Sequence, residues 1–157
     1  MDLTFQWNKK TILKLFTPMA LGFMSNRICW STDGGKSAGA SVKFRPPPYV
    51  FGIIWPILYL LLGLSWIIAT SDKKMIHRNL VESFYILIVF LLSFWIYVYG
   101  CNKDKVGGIY VITLTIGAII LAMNVVRTES RILITPLLTW LLIALLLNVS
   151  EVQGGNK

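Results

Sequence analysis

Charge is what this sequence has least of. Charged residues make up 14% of the chain, with seven acidic side chains and one histidine, whereas an ordinary soluble domain carries about 25% charged residues. Four stretches, residues 49–70, 83–101, 106–126 and 132–150, hold no Asp, Glu, Lys, Arg or His at all. Proton relays and voltage sensors mark their paths through a membrane with such residues, so the spans offer them none. No catalytic residue and no metal ligand is expected; His77 sits in a basic loop beside Arg78 and reads as solvated. Cysteine is equally scarce. Cys29 and Cys101 are too few for a disulfide framework and lack zinc spacing, so two plain thiols are expected. Nor is there a good leader peptide, because Lys14 interrupts the first apolar stretch and no small-residue cleavage site follows closely. Gly35-Lys36-Ser37 lacks the earlier glycine of a phosphate loop, Trp30 standing in its place. The sequon Asn148-Val149-Ser150 lies at the end of an apolar span and is discounted.

What is present instead is apolar length. The chain is 55% hydrophobic with a mean hydropathy of +0.67, and a crossing helix needs roughly 20 mostly apolar residues. The four uncharged stretches meet that need. Residues 11–30 are less clear: the uncharged part is short, but Lys14 and Arg27 can reach opposite interfaces and lengthen it to a crossing. The alternative is a helix lying in the interface. The expectation is an all-α integral membrane protein, multi-pass, with residues 1–157 forming one bundle of five transmembrane helices. Short charged turns make successive helices antiparallel. The net charge of +8 is spread over every loop without a stripe, which fits anionic lipid headgroups rather than nucleic acid. It divides almost evenly between the two faces, so it does not choose an orientation or name the host membrane.

The spans carry aromatic rings where charges are missing. Trp55, Tyr59, Leu62 and Trp66 share one helical face, as do Trp140, Ala144 and Asn148, with Glu151 one turn further. Trp95 and Tyr99 stand one turn apart, and Thr113, Gly117 and Asn124 form a narrower polar stripe. Trp66, Tyr97, Tyr99 and Tyr110 lie near span ends and fit interfacial belts; Trp140 lies mid-span and does not. Gly117, Ala118 and Ala122 read as close-packing residues. Asn124 and Asn148 are either interhelical hydrogen-bond partners or ligand contacts. A pocket between helices, apolar with a few polar groups, would suit a flat apolar molecule.

These residues resemble a known family. Pro46-Pro47-Pro48-Tyr49-Val50-Phe51, then Trp55, Leu58-Tyr59 and Gly63, resemble the signature P-P-x-W-V-F-x-x-V-W-x-x-L-Y-x-x-M-G of the tryptophan-rich sensory protein/translocator protein (TspO/MBR) family. Pro136, Leu138, Trp140, Ala144 and Leu147-Asn148 are similar to its P-Y-L-x-W-x-x-F-A-x-x-L-N. Tyr49 replaces the usual Trp, and the Asn of the family's third-helix pattern is missing. After Asn148, Val149 and Gln153 stand where animal members carry the Tyr and Arg proposed to contact cholesterol, so cholesterol binding is not implied. The resemblance implies a five-helix bundle, often a homodimer, that binds porphyrin, haem or a related flat tetrapyrrole, without a required cofactor. The ligand-binding residues so expected are Tyr49, Phe51, Trp55, Tyr59, Trp95, Trp140, Ala144 and Asn148. The loop 31–48 would serve as a pocket lid, with Gly34, Gly35 and Gly39 giving it mobility and Arg45 or Lys43 pairing with a propionate. Roles it implies are tetrapyrrole transport or sensing, with porphyrin breakdown as an enzymatic alternative. A structural dimer using the small residues of the fourth helix is a third reading.

Overall fold

A computed structural model describes residues 7–30, 37–71 and 76–154, and these are helical apart from short connections. The helices are α1 (Lys9–Cys29), α2 (Pro48–Ala69), α3 (Arg78–Trp95), which continues as a π-helical turn over Ile96–Cys101, α4 (Lys105–Val125) and α5 (Thr128–Gly154). Their starts follow from local chemistry. The Asn8 side chain accepts from the Thr11 N–H at 2.9 Å, and Asp104 accepts from the Gly107 N–H at 2.8 Å, each satisfying a donor that a helix N-terminus leaves open. Pro48 opens α2, where its missing N–H costs nothing. α3 and α5 begin before the uncharged stretches and α5 runs beyond its own, because charge ends the hydrocarbon span without ending the helix.

The helices close into a ring. α2 lies between α1 and α5, α4 between α5 and α3, and the π turn meets α1 to complete the circuit. Leu62, Tyr85, Ile88, Ile112, Ile119 and Leu137 fill its interior, while Phe90, Leu114, Leu121 and Leu146 face outward, as lipid requires. α2, α3 with its π turn, α4 and α5 are long and apolar enough to cross a bilayer. α1 is not, so a fifth crossing does not follow from composition as expected. Nor does Lys14 snorkel outward: it forms an ion pair with Glu82 and donates to the Thr70 hydroxyl at 2.8 Å. Its hydrogen bonds are met inside the bundle.

Close approach is set by small residues. A side chain at Gly63 would come within 2.8 Å of the Leu15 Cα, and one at Gly22 within 2.5 Å of the Tyr59 ring, so α1 and α2 touch backbone to backbone. Ser65 donates to the Ser130 carbonyl at 2.9 Å, Ser130 donates back to the Ser65 carbonyl at 3.1 Å, and the Tyr85 hydroxyl meets Ser65 Oγ at 2.6 Å. That exchange fixes α2, α3 and α5 together. Ala118 and Ala122 are buried inside the bundle, which uses up most of the stripe that a dimer face on α4 would need. The polar stripe of Thr113 and Asn124 faces outward, each side chain bonded to its own helix.

The two cysteines are not free thiols. Cys29 and Cys101 form a disulfide with Cα atoms 4.5 Å apart. They are separated by 72 residues and meet because α1 and the π turn end at the same end of the bundle. Tyr99 and Trp66 also depart from the interfacial belt expected of them, since both are buried; their polar atoms are bonded within the protein to Glu151 and Glu82. Tyr97 and Tyr110 are exposed, as belt residues are.

Candidate functional site

The aromatic residues of four helices converge at the end of the bundle that carries the disulfide. On α2, Trp55 stacks on Tyr59 one turn later, with centroids 5.5 Å apart. Across the bundle it stacks on Trp95 at 6.4 Å and meets Trp140 of α5 edge-on at 6.4 Å. Phe51, one turn before Trp55, meets Trp140 at 5.5 Å. Trp95 stacks on Tyr99 at 5.0 Å, and Trp30 closes on both from the end of α1, at 6.2 and 6.0 Å. The stack is continuous because each ring sits about one helical turn from the next on an inward face.

A cavity of about 10 Å³ remains beside the stack, about the room of one water molecule, lined by Trp55, Trp95, Ala144, Leu92, Leu141, Ile112 and Thr115. Thr115 adds little polarity, since its hydroxyl donates to the Val111 carbonyl at 2.7 Å. The aromatic cluster around it is nonetheless not inert. Trp95 Nε1, Trp140 Nε1 and Asn148 Nδ2 are buried donors without a partner. Two of them flank the same bare stretch of α4: a side chain at Gly108 would lie 3.0 Å from Asn148 Nδ2 and 3.4 Å from Trp95 Nε1. A buried donor left unpaired costs about 1–3 kcal/mol, and native proteins pair nearly all of them. Trp95 lines the cavity, Trp140 meets its neighbour Trp55 and Asn148 faces Gly108 beside Trp95, so the three open donors lie in and around one aromatic cluster.

Above the stack the described part of the loop, residues 37–47, is fastened down. Gly39 has a left-handed backbone (φ 68), and its N–H donates to the Tyr99 hydroxyl at 3.0 Å. Tyr99 in turn donates to Glu151 Oε2 at 2.5 Å, and Lys105 Nζ pairs with Glu151 Oε1 at 2.9 Å. Arg45 Nε donates to the Ala38 carbonyl at 2.5 Å and its guanidinium sits 5.0 Å from the Phe51 ring centroid, while Lys43 is exposed. Gly39 is therefore a tethered position rather than a hinge; Gly34 and Gly35 lie outside the described residues.

Of the expected site residues, Phe51, Trp55, Tyr59, Trp95, Trp140, Ala144 and Asn148 stand in or against this cluster. Tyr49 does not: it is 68% exposed in the first turn of α2, because the face that carries Trp55 and Tyr59 inward turns the start of the helix outward there. Asn148 has no interhelical partner, and Asn124 bonds its own helix at the Ile120 carbonyl. Trp30, Tyr99, Glu151 and Thr115 were not foreseen as part of the site. Glu151, in register with Trp140 and Asn148, and Tyr99, one turn from Trp95, left a trace in the sequence; Trp30 and Thr115 left none.

Comparison with known proteins gives the family. The chain is 24% identical over 141 residues to the tryptophan-rich protein TspO of Archaeoglobus fulgidus, covering 88% of this chain and 92% of that one. The family model described as TspO/MBR family matches residues 15–152, a stretch that takes in every ring of the aromatic cluster. On that match, an integral multi-pass membrane protein with this bundle belongs to the TspO/MBR family.

Proposed function

We propose that this protein binds a flat, largely apolar ring system with acceptor atoms on its edge, a porphyrin or haem, between its helices, and that binding serves sensing or transport. The observation that carries the reading is the trio of unpartnered donors, Trp95 Nε1, Trp140 Nε1 and Asn148 Nδ2, in and around the cluster of aromatic rings. Flat rings insert between flat rings, and an acceptor recovers the hydrogen bonds that the closed protein leaves unmade. The ligand class itself comes from the family resemblance. With a cavity of about 10 Å³, a bound ring system requires rings of the cluster to separate, so the closed stack and the liganded one are two packings of the same residues.

In this reading α1 is the fifth crossing. It is joined to α2 and α3 by Lys14 at one end and to the π turn by Cys29 at the other, with the Gly63 and Gly22 contacts between. Contacts of this kind can hold a helix that hydropathy alone would not.

The test is a fluorescence-quenching titration of the detergent-solubilised protein with protoporphyrin IX. Saturable quenching is expected, weakened about tenfold in Trp95→Phe combined with Asn148→Leu, a loss of about 1.4 kcal/mol. Quenching that never saturates sinks the proposal. The same samples, kept in light and in darkness, are expected to return intact porphyrin; a light-dependent product would favour the degrading enzyme instead.

A further inference from the structure

We propose that the Cys29–Cys101 disulfide is a redox-operated latch on the aromatic cluster. Oxidised, it clamps Trp30 against Trp95 and Tyr99; reduced, it releases the end of α1 and opens a path to the cavity. The inference rests on the reading that the cluster takes a flat ligand.

Its basis is the placement of the bond and the poverty of other attachments around it. Cys29 is the last residue of α1 and Cys101 the last of the π turn, both half-buried at the loop end of the bundle. Trp30 follows Cys29 directly and caps α1, its N–H bonded to the Asn26 carbonyl at 2.8 Å. Its ring reaches the cluster because Gly100 is bare: a side chain there would meet Trp30 Cε2 at 2.9 Å and Cys29 Cβ at 3.1 Å. Among the described residues, no hydrogen bond or ion pair joins residues 22–30 to another helix. Only Gly22 of that half is buried, while Phe23, Met24 and Ile28 are exposed. The polar attachment of α1 is Lys14, four turns away. Cutting the disulfide therefore leaves the clasp held by ring contacts alone.

The chemistry is thiol–disulfide exchange with a dithiol. One thiolate of the dithiol attacks a sulfur of the bond and forms a mixed disulfide, releasing the other cysteine; the second thiol resolves it. The dithiol leaves as a disulfide, and Cys29 and Cys101 each end as a thiol. The latch is closed where this end of the bundle faces an oxidising compartment and opens where dithiols prevail.

The experiment uses the full chain in detergent, oxidised or treated with dithiothreitol, together with Cys29→Ser/Cys101→Ser and Trp30→Ala. Two quantities are read: amide hydrogen exchange over residues 24–30 and 96–101, and the association rate of protoporphyrin IX by stopped-flow quenching. Reduction is expected to speed both about tenfold, a change of about 1.4 kcal/mol in the opening equilibrium. The double serine variant should match the reduced protein and ignore dithiothreitol. Trp30→Ala in the oxidised protein should speed association while leaving exchange over 24–29 unchanged, and chemical reduction of the unmodified chain decides the matter even if a variant fails to fold. Unchanged exchange on reduction overturns the latch. Faster exchange with an unchanged association rate overturns its control of access. Faster exchange with no saturable quenching in either form supports release of α1 by reduction and overturns the ligand reading.

Discussion

The two ends of the bundle are built from the same residue types and use them differently. At the end away from the disulfide, Trp66 stacks on Tyr85 at 5.9 Å and its Nε1 donates to Glu82 at 2.5 Å; Glu82 also receives Lys14, which holds Thr70. Ser65, Ser130 and Tyr85 exchange hydrogen bonds just inside. At the loop end, Trp95, Trp140 and Asn148 have the same capacity and no partner. A tryptophan whose N–H is met inside the protein holds the bundle together. A tryptophan whose N–H is left open contributes packing alone to that end, and under the proposed function it is the donor a ligand would meet.

Truncation separates the two ends most strongly. Trp66→Ala removes a buried ring and one partner of Glu82, so a loss of about 3 kcal/mol in stability is expected, with protoporphyrin affinity within about threefold of the parent. Trp140→Ala should do the reverse, weakening binding about 5- to 150-fold at a smaller cost in stability. Thermal unfolding and titration on the same preparations check both, and a larger affinity loss in Trp66→Ala would erase the distinction.

Charge removal comes next. Glu82→Ala takes from Lys14 its counter-ion, leaving the Thr70 hydroxyl, and from Trp66 its acceptor, and is expected to cost about 2 kcal/mol, less than breaking a fully buried pair would. Loss of the α1 contact should appear as faster proteolysis within α1. An unchanged melting temperature would mean that Lys14 finds lipid headgroups equally good.

A smaller effect of opposite sign tests the open donors. Asn148→Leu removes a buried amide that has no partner, so the ligand-free protein should gain about 1 kcal/mol while porphyrin binding weakens. If stability falls instead, Asn148 has a partner in the closed state and the contrast between the ends narrows.

The smallest effect is expected at Lys103, which holds a left-handed backbone (φ 55) in the exposed turn before α4. Lys103→Gly should stabilise by about 0.5 kcal/mol as the steric cost disappears, part of it offset by greater freedom of the unfolded chain. Lys103→Ala keeps that cost and should stay within about 0.5 kcal/mol of the parent in stability, with ligand affinity unchanged. Calorimetry on both variants resolves the sign.

Four crossings were legible because an uncharged run of sufficient length has little choice in a bilayer, and the family was legible because its aromatic and proline spacings survive here. Partnerships across the ring were not. Lys14 reads as a snorkelling residue along the chain; only the fold brings it to Glu82, which sits one residue before the uncharged stretch 83–101. Cys29 and Cys101 carry no spacing signal at 72 residues apart. Helical periodicity put Trp55, Tyr59 and Trp66 on one face correctly, but it does not say that Trp66 belongs to the sealed end. For α4 the inward polar residue is Thr115 and not Thr113, a rotation that hydropathy does not detect on a helix apolar all round.

The seam between α1 and α2 bears on how the chain enters a membrane. A helix too polar to partition by itself gains its place from Gly63, Gly22, Lys14 and Cys29, and every one of those contacts needs α2, α3 or the π turn. None of these exists when residues 9–29 leave the ribosome. If α1 is the fifth crossing, as proposed, it becomes secured only once the α2–α3 hairpin is in place.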